Sequence, residues 1–275
     1  MTNTTQMIRS ENASAAGAAI RLTAVSRRFA GKNGAGLQIL DGIDLDIAEG
    51  EFVALIGASG CGKSTLLNII SGLLPASSGH VEIFGSPSQG LDPRIGYMFQ
   101  TDALLPWRNL IDNVAMGLEL DGMSRKDRYA RAKDILAVLG LAGFEDHYPS
   151  ELSGGMRQRA SLARTWLKNP QIILMDEPFG ALDSQTRLIV QASFLEFWES
   201  HRKTAVLVTH DLGEAIAMAD RVIVLSSRPG RIKAEYRIDI PRPRRLDAMR
   251  SDPRFTALWQ NLWDDLRPEV VQGGA

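Results

Sequence analysis

Apolar and β-branched residues are concentrated in short segments of the N-terminal third, where they alternate with polar residues or run without interruption. Both patterns are typical of β-strands. The strands predicted from them span 20–25, 37–47, 52–56, 81–84 and 95–98. We therefore expect the first part of the chain to be rich in β-structure.

After Gln100 the apolar residues recur at helical spacing instead. The spacing predicts helices over 110–120, 125–139 and 156–167. Ser124 stands where the second helix would begin and is a suitable N-cap. We therefore predict a helical insertion between about Thr101 and Ser153.

Beyond Pro170, predicted strands and helices alternate. The pattern predicts a strand over 171–175, a helix over 184–201, a strand over 205–209, a short helix after Asp211, and strands over 221–225 and 232–238. The strands are nearly unbroken apolar runs, and strands that are apolar on both faces belong in a parallel sheet covered by helices. An α/β core is therefore predicted.

The two ends of the chain differ from this core. Residues 1–19 are rich in Thr, Asn, Ser and Ala and lack the apolar segment of an export signal, so we predict a disordered tail. We interpret the PRPRR segment at 241–245 as a solvated linker, in preference to a lipid contact. An apolar stripe from Phe255 to Leu266 predicts a helix in a C-terminal extension over 251–275.

Composition excludes several classes of function. The 275 residues include 31 Lys and Arg against 32 Asp and Glu, so no overall positive charge recruits nucleic acid or anionic lipid. No apolar run approaches the roughly 18 residues of a membrane-spanning helix. The single cysteine, Cys61, excludes an internal disulfide framework and suits a reducing compartment. We expect a cytosolic protein that would serve a membrane from the aqueous side.

GASGCGKST at 57–65 lies between a predicted strand and a predicted helix, as a phosphate-binding loop requires. Its glycines allow backbone N–H groups to converge on phosphate oxygens, helped by the positive end of the helix. Lys63 is placed to reach the β- and γ-phosphates, and the Ser64 hydroxyl to reach Mg²⁺. The predicted nucleotide-binding residues are Gly57, Ala58, Ser59, Gly60, Cys61, Gly62, Lys63, Ser64 and Thr65. Cys61 also lies beside the helix start, which predicts a lowered thiol pKa and alkylation in the nucleotide-free protein.

ILMDEP at 173–178 brings two carboxylates to the end of a predicted parallel strand, where ligands of such sheets bind. We expect Asp176 to hold Mg²⁺ and Glu177 to polarise an attacking water. Without the phosphate loop upstream, an ordinary acidic strand end would be the better interpretation. His210 follows another apolar strand, where a lone histidine is usually only a polar terminator.

LSGGMRQR at 152–159 forms a second candidate anion site. Ser153, Gly154 and Gly155 precede a predicted helix and so combine a hydroxyl, unobstructed backbone and a positive helix end. In isolation, an ordinary serine N-cap would be the better interpretation of Ser-Gly-Gly.

The order of GASGCGKST, LSGGMRQR and ILMDEP resembles that of the ATP-binding cassette (ABC) ATPases, over about 20–232. The resemblance implies an α/β P-loop NTPase fold with a RecA-like core, an N-terminal antiparallel β subdomain and a helical insertion, forming an ABC ATPase domain over 20–250. It also implies ATP and Mg²⁺ as cofactors. In the implied homodimer, ATP binds between the phosphate loop of one protomer and the Ser-Gly-Gly segment of the other.

Several roles come from this resemblance alone. Gln100 matches a glutamine that contacts Mg²⁺ and the attacking water, and His210 a histidine that contacts the γ-phosphate and orients that water. Asp183, in the ALD segment, matches a contact with the opposite protomer. Phe29 lies where the family places an aromatic ring that stacks on adenine, with core packing as the alternative. The catalytic set implied is Lys63, Gln100, Glu177 and His210, with Ser64, Gln100 and Asp176 as Mg²⁺ ligands.

LLPW (104–107), SSRPGRI (226–232) and the C-terminal DPRF segment are similar to those of the ATPases of bacterial nitrate, sulfonate and taurine importers. This resemblance implies attachment to the cytoplasmic side of the inner membrane. The implied partners are a transmembrane permease dimer, contacted by a groove near 100–116, and a periplasmic or lipid-anchored solute-binding protein, with no nucleic acid. Trp107 could line the groove or pack in the core.

Two other classes compete with the importer. Soluble ABC ATPases of DNA repair or translation typically carry long coiled-coil insertions or two cassettes, and the sequence shows neither. P-loop kinases and GTPases are disfavoured because no guanine-reading N-K-x-D motif occurs and LSGGMRQR would have no role in them.

Overall fold

The computed structural model describes residues 17–30, 36–249 and 251–273. The strands are β1 (Ala18–Phe29), β2 (Leu37–Ala48), β3 (Phe52–Gly57), β4 (Ser78–Ile83), β5 (Ser86–Pro87), β6 (Ile95–Met98), β7 (Ile172–Asp176), β8 (Thr204–Val208), β9 (Arg221–Leu225) and β10 (Ile232–Arg237). The helices are α1 (Lys63–Ile70), α2 (Leu110–Leu120), α3 (Arg125–Val138), α4 (Gly154–Leu167), α5 (Ser184–His201), α6 (Leu212–Met218), α7 (Leu246–Met249) and α8 (Pro253–Gly273). The chain forms two units, one from 1–92 with 202–275 and the other from 93–201.

The first unit contains an antiparallel sheet with strand order β2-β1-β4-β5. Leu22 of β1 is paired with Leu45 of β2 and with Val81 of β4. Buried and exposed positions alternate along most of β2, because one face of this sheet packs on the core while the other meets solvent. This sheet is the predicted N-terminal antiparallel β subdomain.

The first unit also contains four strands in the order β10-β9-β3-β8. β3 runs parallel to both β8 and β9, with Leu55 paired to Val208 and to Ile223. Every residue of β3 and β8 is buried, which explains their unbroken apolar sequences. Because the three strands are parallel, the segments that follow them leave the sheet at one edge.

The second unit contains the parallel pair of β6 and β7 together with helices α2 to α5. The predicted bounds of α2, α5, β6 and β9 agree with those observed. Ser124 caps α3 as predicted, since its side chain accepts a hydrogen bond from the Asp127 N–H. The segment 101–153, predicted as a helical insertion, lies within this second unit.

The main differences from the predicted elements are at strand ends. β1 continues past Val25 to Phe29 because its outer half pairs with β2, where Phe29 faces Leu37. Its start at Ala18 lies inside the segment predicted as a tail, 1–19; residues 1–16 of that segment lie outside the described residues. β5 and α7 were not predicted, and each is too short to show a periodic pattern.

The C-terminal helix α8 belongs to the first unit and packs on the rest of it through one side. Leu262 and Leu266 are buried, as the apolar stripe predicts. Tyr236 of β10 donates a hydrogen bond to Asp265 at 2.5 Å. In the part of the chain that the structure describes, no helix combines the length and the apolar character needed to span a membrane.

The prediction of a solvated linker at 241–245 is wrong for Arg242 and Arg244. Arg242 Nε lies 2.8 Å from Asp220 Oδ1, and the Arg242 side chain is largely buried. Arg244 is 8% exposed and donates hydrogen bonds to five backbone carbonyls, those of Ile216, Ala217, Ala219, Ile238 and Ile240. Of the three arginines, Arg245 alone fits the prediction, since it pairs with Asp247 at the surface.

The carbonyl groups at the end of α6 explain why Arg244 is buried. The last carbonyls of a helix have no partner within the helix, and a guanidinium offers five N–H donors in a fixed plane. Its positive charge also suits the negative end of the helix. Arg244 therefore serves as a C-terminal cap of α6, a role that its local sequence does not reveal.

We predict that Arg244→Leu lowers the free energy of unfolding by about 3 kcal/mol, because it leaves several buried carbonyls without a donor. Arg245→Ala is the matched control, and a change within about 0.5 kcal/mol is expected for this exposed pair. Both values follow from denaturant titrations of the purified protein. Equal losses of stability in the two variants would contradict the capping role.

Candidate nucleotide site

The phosphate loop connects the end of β3 to the start of α1. Gly60 and Gly62 have φ values of 75° and 108°, in the left-handed region that glycine adopts without steric cost. Gly62 is the N-cap of α1 and, being glycine, has no side chain that could cap the first turn. The backbone N–H groups of the first turn and the positive end of α1 are therefore suited to an anionic ligand.

Lys63 is held over this loop by backbone carbonyls. It is 7% exposed, and its Nζ donates hydrogen bonds to the carbonyl oxygens of Gly57 and Ala58 at 2.9 and 3.0 Å. The loop thus contains a buried lysine whose ammonium is held by two backbone carbonyls. Beyond it, Ser64 is exposed and Thr65 is half-buried.

The prediction of a lowered thiol pKa at Cys61 is wrong. The side chain is 1% exposed, and burial raises its pKa more than the charge of Lys63 lowers it. The Lys63 ammonium lies 3.9 Å from Sγ, too far for a strong hydrogen bond. Removing a thiolate from water therefore outweighs the favourable charge and the helix end.

His210 is exposed in the turn between β8 and α6. The buried Thr209 hydroxyl before it donates to Glu214, and Asp211 after it caps α6 by accepting from the Glu214 N–H at 3.1 Å. These contacts fix the backbone on both sides of the histidine. Because β8 is a parallel neighbour of β3, His210 and the phosphate loop lie at the same edge of the sheet.

In the second unit, Gln100 and the two carboxylates follow neighbouring parallel strands. The pairing of Met98 with Met175 places the residues after β6 and β7 at one edge. Gln100 Nε2 donates a hydrogen bond to Glu177 Oε2 at 3.3 Å, and the half-buried Asp176 ends β7. The structure therefore brings these three predicted site residues together.

The backbone of Glu177 has a φ of 45°, which is unusual for a residue with a side chain. Such a conformation costs about 1 to 3 kcal/mol and persists only where the surrounding structure holds it. Here the next peptide is fixed by the buried Gln158, which donates to the Pro178 carbonyl, and the Gly180 N–H donates to the Glu177 carbonyl at 3.1 Å. The backbone of Glu177 is therefore held in this conformation by the surrounding structure.

The Ser-Gly-Gly segment starts α4, which begins at Gly154, two residues before the predicted start. Ser153 is the N-cap and accepts a hydrogen bond from the Met156 N–H at 3.3 Å. A Cβ on Gly155 would lie 2.3 Å from Thr186 Cγ2, so any larger residue there would have to displace this methyl group of α5. Ser153 and Gly154 are exposed, which leaves this helix start open to solvent.

Asp183 caps α5 by accepting hydrogen bonds from the N–H groups of Gln185 and Thr186 at 3.1 and 3.0 Å. Hydrogen bonds from Thr186 lower the pKa of this carboxyl group. Phe29 is 38% exposed at the end of β1, and Trp107 is 70% exposed, so neither packs in the core. The alternative of core packing is therefore wrong for both aromatic residues.

Two residues that hold the phosphate loop were not predicted. Arg228 donates to the Gly60 carbonyl, and Gly230 packs against the Cys61 carbonyl so closely that a Cβ would lie 2.2 Å from it. Both belong to SSRPGRI, which the sequence marks only as a subtype feature. The sequence did not show that this segment and the phosphate loop, which are far apart along the chain, lie next to each other.

The chain is similar in sequence and in structure to known proteins of one family. Residues 40–180 match the ABC transporter family. A taurine import ATP-binding protein of Burkholderia pseudomallei (strain 1710b) is 45% identical over 254 residues, which are 90% of this chain and 96% of that protein. An uncharacterized ABC transporter ATP-binding protein of Methanocaldococcus jannaschii is 45% identical over 240 residues, 87% of this chain and 88% of that protein.

The solved dimeric structure of a bacterial ABC transporter cassette has a TM-score of 0.72 and 35% sequence identity, and the likeness covers 81% of this chain and all of that one. A dimeric cassette bound to ADP and phosphate has a TM-score of 0.72 at 34% identity. The chain belongs to the ABC transporter family and is a nucleotide-binding, ATP-hydrolysing transporter subunit. The predicted fold class is confirmed, and none of these likenesses favours the DNA-repair or translation alternative.

The burial of Cys61 predicts slow alkylation of the native, nucleotide-free protein. We expect iodoacetamide to react about tenfold more slowly than with the urea-unfolded chain, because only the thiolate reacts and burial disfavours it. The rate should also continue to rise above pH 8.5, the usual pKa of a free thiol. Since the chain has one cysteine, mass spectrometry reports this site alone. Equal rates in the native and unfolded states would contradict the prediction.

Proposed function

We propose that this chain drives import of a small anionic solute, such as nitrate, a sulfonate or taurine, by hydrolysing ATP as a homodimer beneath a separate permease. The observation that supports import is the 45% identity, over 90% of the chain, to a protein named for taurine import. ATP hydrolysis itself is common to the family. The solute class and the partners are the further steps of the proposal.

In this proposal, the first unit binds the ATP phosphates. The N–H groups of the loop at 57–65 and the ammonium of Lys63 contact the phosphate oxygens. The carbonyls of Gly57 and Ala58 hold the Lys63 ammonium within this loop. Phe29 has an exposed ring suited to stacking on adenine, and His210 contacts the γ-phosphate.

The second unit supplies the general base. Glu177 accepts the proton of the water that attacks the γ-phosphate, with its direction set by the strained backbone and by Gln100. The Gln100 amide uses its N–H for this contact, which leaves its oxygen available to a metal ion. Gln100 is thus able to link the base to a bound cation.

The donor chemistry of Ser64, Gln100 and Asp176 fits Mg²⁺. Hydroxyl, amide and carboxylate oxygens are the ligand types that this ion takes, and it usually retains phosphate and water ligands as well. Among the described residues there is no group of three or more His, Cys, Asp and Glu that could hold a metal. When bound, Mg²⁺ neutralises charge on the β- and γ-phosphates.

The exposed start of α4 supports pairing of two protomers. Ser153 offers a hydroxyl, and the helix start offers N–H groups and a positive dipole end to an anion. We propose that it binds the γ-phosphate of the ATP held by a second copy, with Asp183 contacting that copy nearby. The likeness to solved dimeric cassettes supports this arrangement.

The exposed Trp107 supports a contact with the permease. A large exposed aromatic side chain is typical of protein interfaces, and this one follows the LLP segment that marks the importer subtype. Such a contact would keep the chain on the cytoplasmic side of the membrane, in a complex that includes a periplasmic or lipid-anchored solute-binding protein. The proposed complex contains no nucleic acid.

We predict that Glu177→Gln lowers ATP turnover by about 10²- to 10⁴-fold, the usual contribution of a general base. The amide has the same shape but cannot accept a proton, so ATP affinity should be preserved and the ATP-bound dimer stabilised. Phosphate release and equilibrium ATP binding measure the two effects. Glu196→Gln, at an exposed position of α5, is the control. Unchanged hydrolysis in Glu177→Gln would remove this residue from its role.

We also predict that Ser153→Arg blocks pairing while monomeric ATP binding persists, because a bulky side chain then fills the open helix start. The variant is made in the Glu177→Gln background and its mass is followed by light scattering with Mg-ATP. Ser150→Arg is the matched control, since Ser150 is also exposed and lies three positions earlier. A Ser153→Arg protein that still dimerises with ATP would contradict the shared site.

A further inference from the structure

The segment 226–230 links the phosphate loop to the C-terminal helix within the first unit. It follows β9, whose last residue Leu225 is paired with Gly57, the last residue of β3. Parallel pairing brings the ends of these two strands to one edge, so the segment begins beside the phosphate loop. None of the roles assigned above to ATP binding or hydrolysis uses it.

Arg228 holds one carbonyl of the phosphate loop. Its Nε and Nη2 donate to the Gly60 carbonyl oxygen at 3.3 and 3.1 Å. A loop binds phosphate through its N–H groups, and a carbonyl turned toward phosphate oxygens would repel them. A hydrogen bond from a guanidinium is stronger than one from a neutral donor, so Arg228 opposes rotation of this peptide toward the ligand.

Gly230 supports the next peptide of the loop. A Cβ on Gly230 would lie 2.2 Å from the Cys61 carbonyl oxygen, so only glycine allows this approach. Its own N–H donates to the Ile39 carbonyl at 2.8 Å, and its carbonyl accepts from the Asp41 N–H at 3.0 Å. The segment is therefore tied to β2 while it contacts two consecutive residues of the phosphate loop.

Glu269 of α8 holds the other side of the segment. Its carboxylate accepts from the Ser227 N–H at 2.6 Å and from Lys233 Nζ at 2.8 Å. Burial raises the pKa of Glu269, but the hydrogen bonds from Lys233 and Ser227 outweigh this and the net pKa is lowered. The carboxylate is therefore charged at neutral pH and contacts the residue next to Arg228.

We propose that Arg228 is a positioning residue for the phosphate loop and that α8, through Glu269, holds Arg228 in place. The inference rests on the proposed role of 57–65 in binding the ATP phosphates. Arg228 fixes the orientation of the Gly60 peptide, while Glu177 and Gln100 act on the attacking water. Loss of Arg228 therefore weakens nucleotide binding and loosens the loop, and leaves turnover at saturating ATP nearly unchanged.

The first test measures ATP affinity in EDTA, where hydrolysis does not occur. Arg228→Ala should raise the dissociation constant about tenfold, the effect of losing the charge-assisted contact with the Gly60 carbonyl, and Arg228→Lys should raise it less. At saturating Mg-ATP, turnover should stay within about twofold. Arg231→Ala is the matched control, because Arg231 lies three positions later and pairs with Asp41 at the surface.

The second readout is the alkylation rate of Cys61 in the nucleotide-free protein. Cys61 is next to Gly60 and is buried, so a loop loosened by Arg228→Ala should expose it more often and accelerate its modification, whereas Arg231→Ala should not. Glu269→Gln should change affinity and alkylation in the same direction as Arg228→Ala, by a smaller factor. Asp264→Asn, at an exposed position of α8, is its control.

Wild-type affinity and wild-type alkylation in Arg228→Ala would overturn the proposal, as would equal changes in Arg231→Ala. Wild-type values in Glu269→Gln would overturn the part assigned to α8. Lys63→Ala separates these failures from failure of the proposed function. If Lys63→Ala abolishes ATP binding and Arg228→Ala does not weaken it, only the positioning role is wrong. If Lys63→Ala also binds ATP normally, the phosphate site itself is wrongly assigned.

Discussion

The site depends on the orientation of a few peptide groups in the phosphate loop. A backbone segment attracts phosphate only when its N–H groups face the ligand and its carbonyls face elsewhere. Here two cationic side chains hold carbonyls of the loop: Lys63 holds those of Gly57 and Ala58, and Arg228 holds that of Gly60. The buried Lys63 therefore braces the loop, and in the proposed function its ammonium also contacts the phosphates.

Parallel strands determine which residues lie near one another in each unit. In the first unit, β3, β8 and β9 end at one edge, which carries the phosphate loop, His210 and the segment that contains Arg228. In the second unit, β6 and β7 bring Gln100 to Glu177 in the same way. The chain segments that connect these neighbouring strands are long. Residues that are far apart in sequence therefore lie together at the edge of each sheet.

Two predictions failed for a common physical reason. Cys61 was expected to have a lowered pKa and the arginines at 242 and 244 to be solvated. Charge and helix position can be inferred from the sequence, whereas the burial of a single thiol or guanidinium cannot. The thiol lies in the interior, where desolvation dominates its pKa, and Arg244 lies beneath α6, where carbonyls compensate its charge. In both cases the surrounding groups come from segments that are distant in sequence. These groups decide the pKa of the Cys61 thiol and the burial of Arg244.

The sequence by itself determined the strand-loop-helix units, the phosphate loop, the Ser-Gly-Gly helix start and the carboxylates after β7, because each is a continuous segment whose pattern is local. Only the tertiary structure decided which groups hold these segments. Arg228 contacts Gly60 across 168 positions of sequence, and Glu269 contacts Ser227 across 42. Such contacts depend on how strands and helices pack, and no local pattern of residues encodes the distance between them.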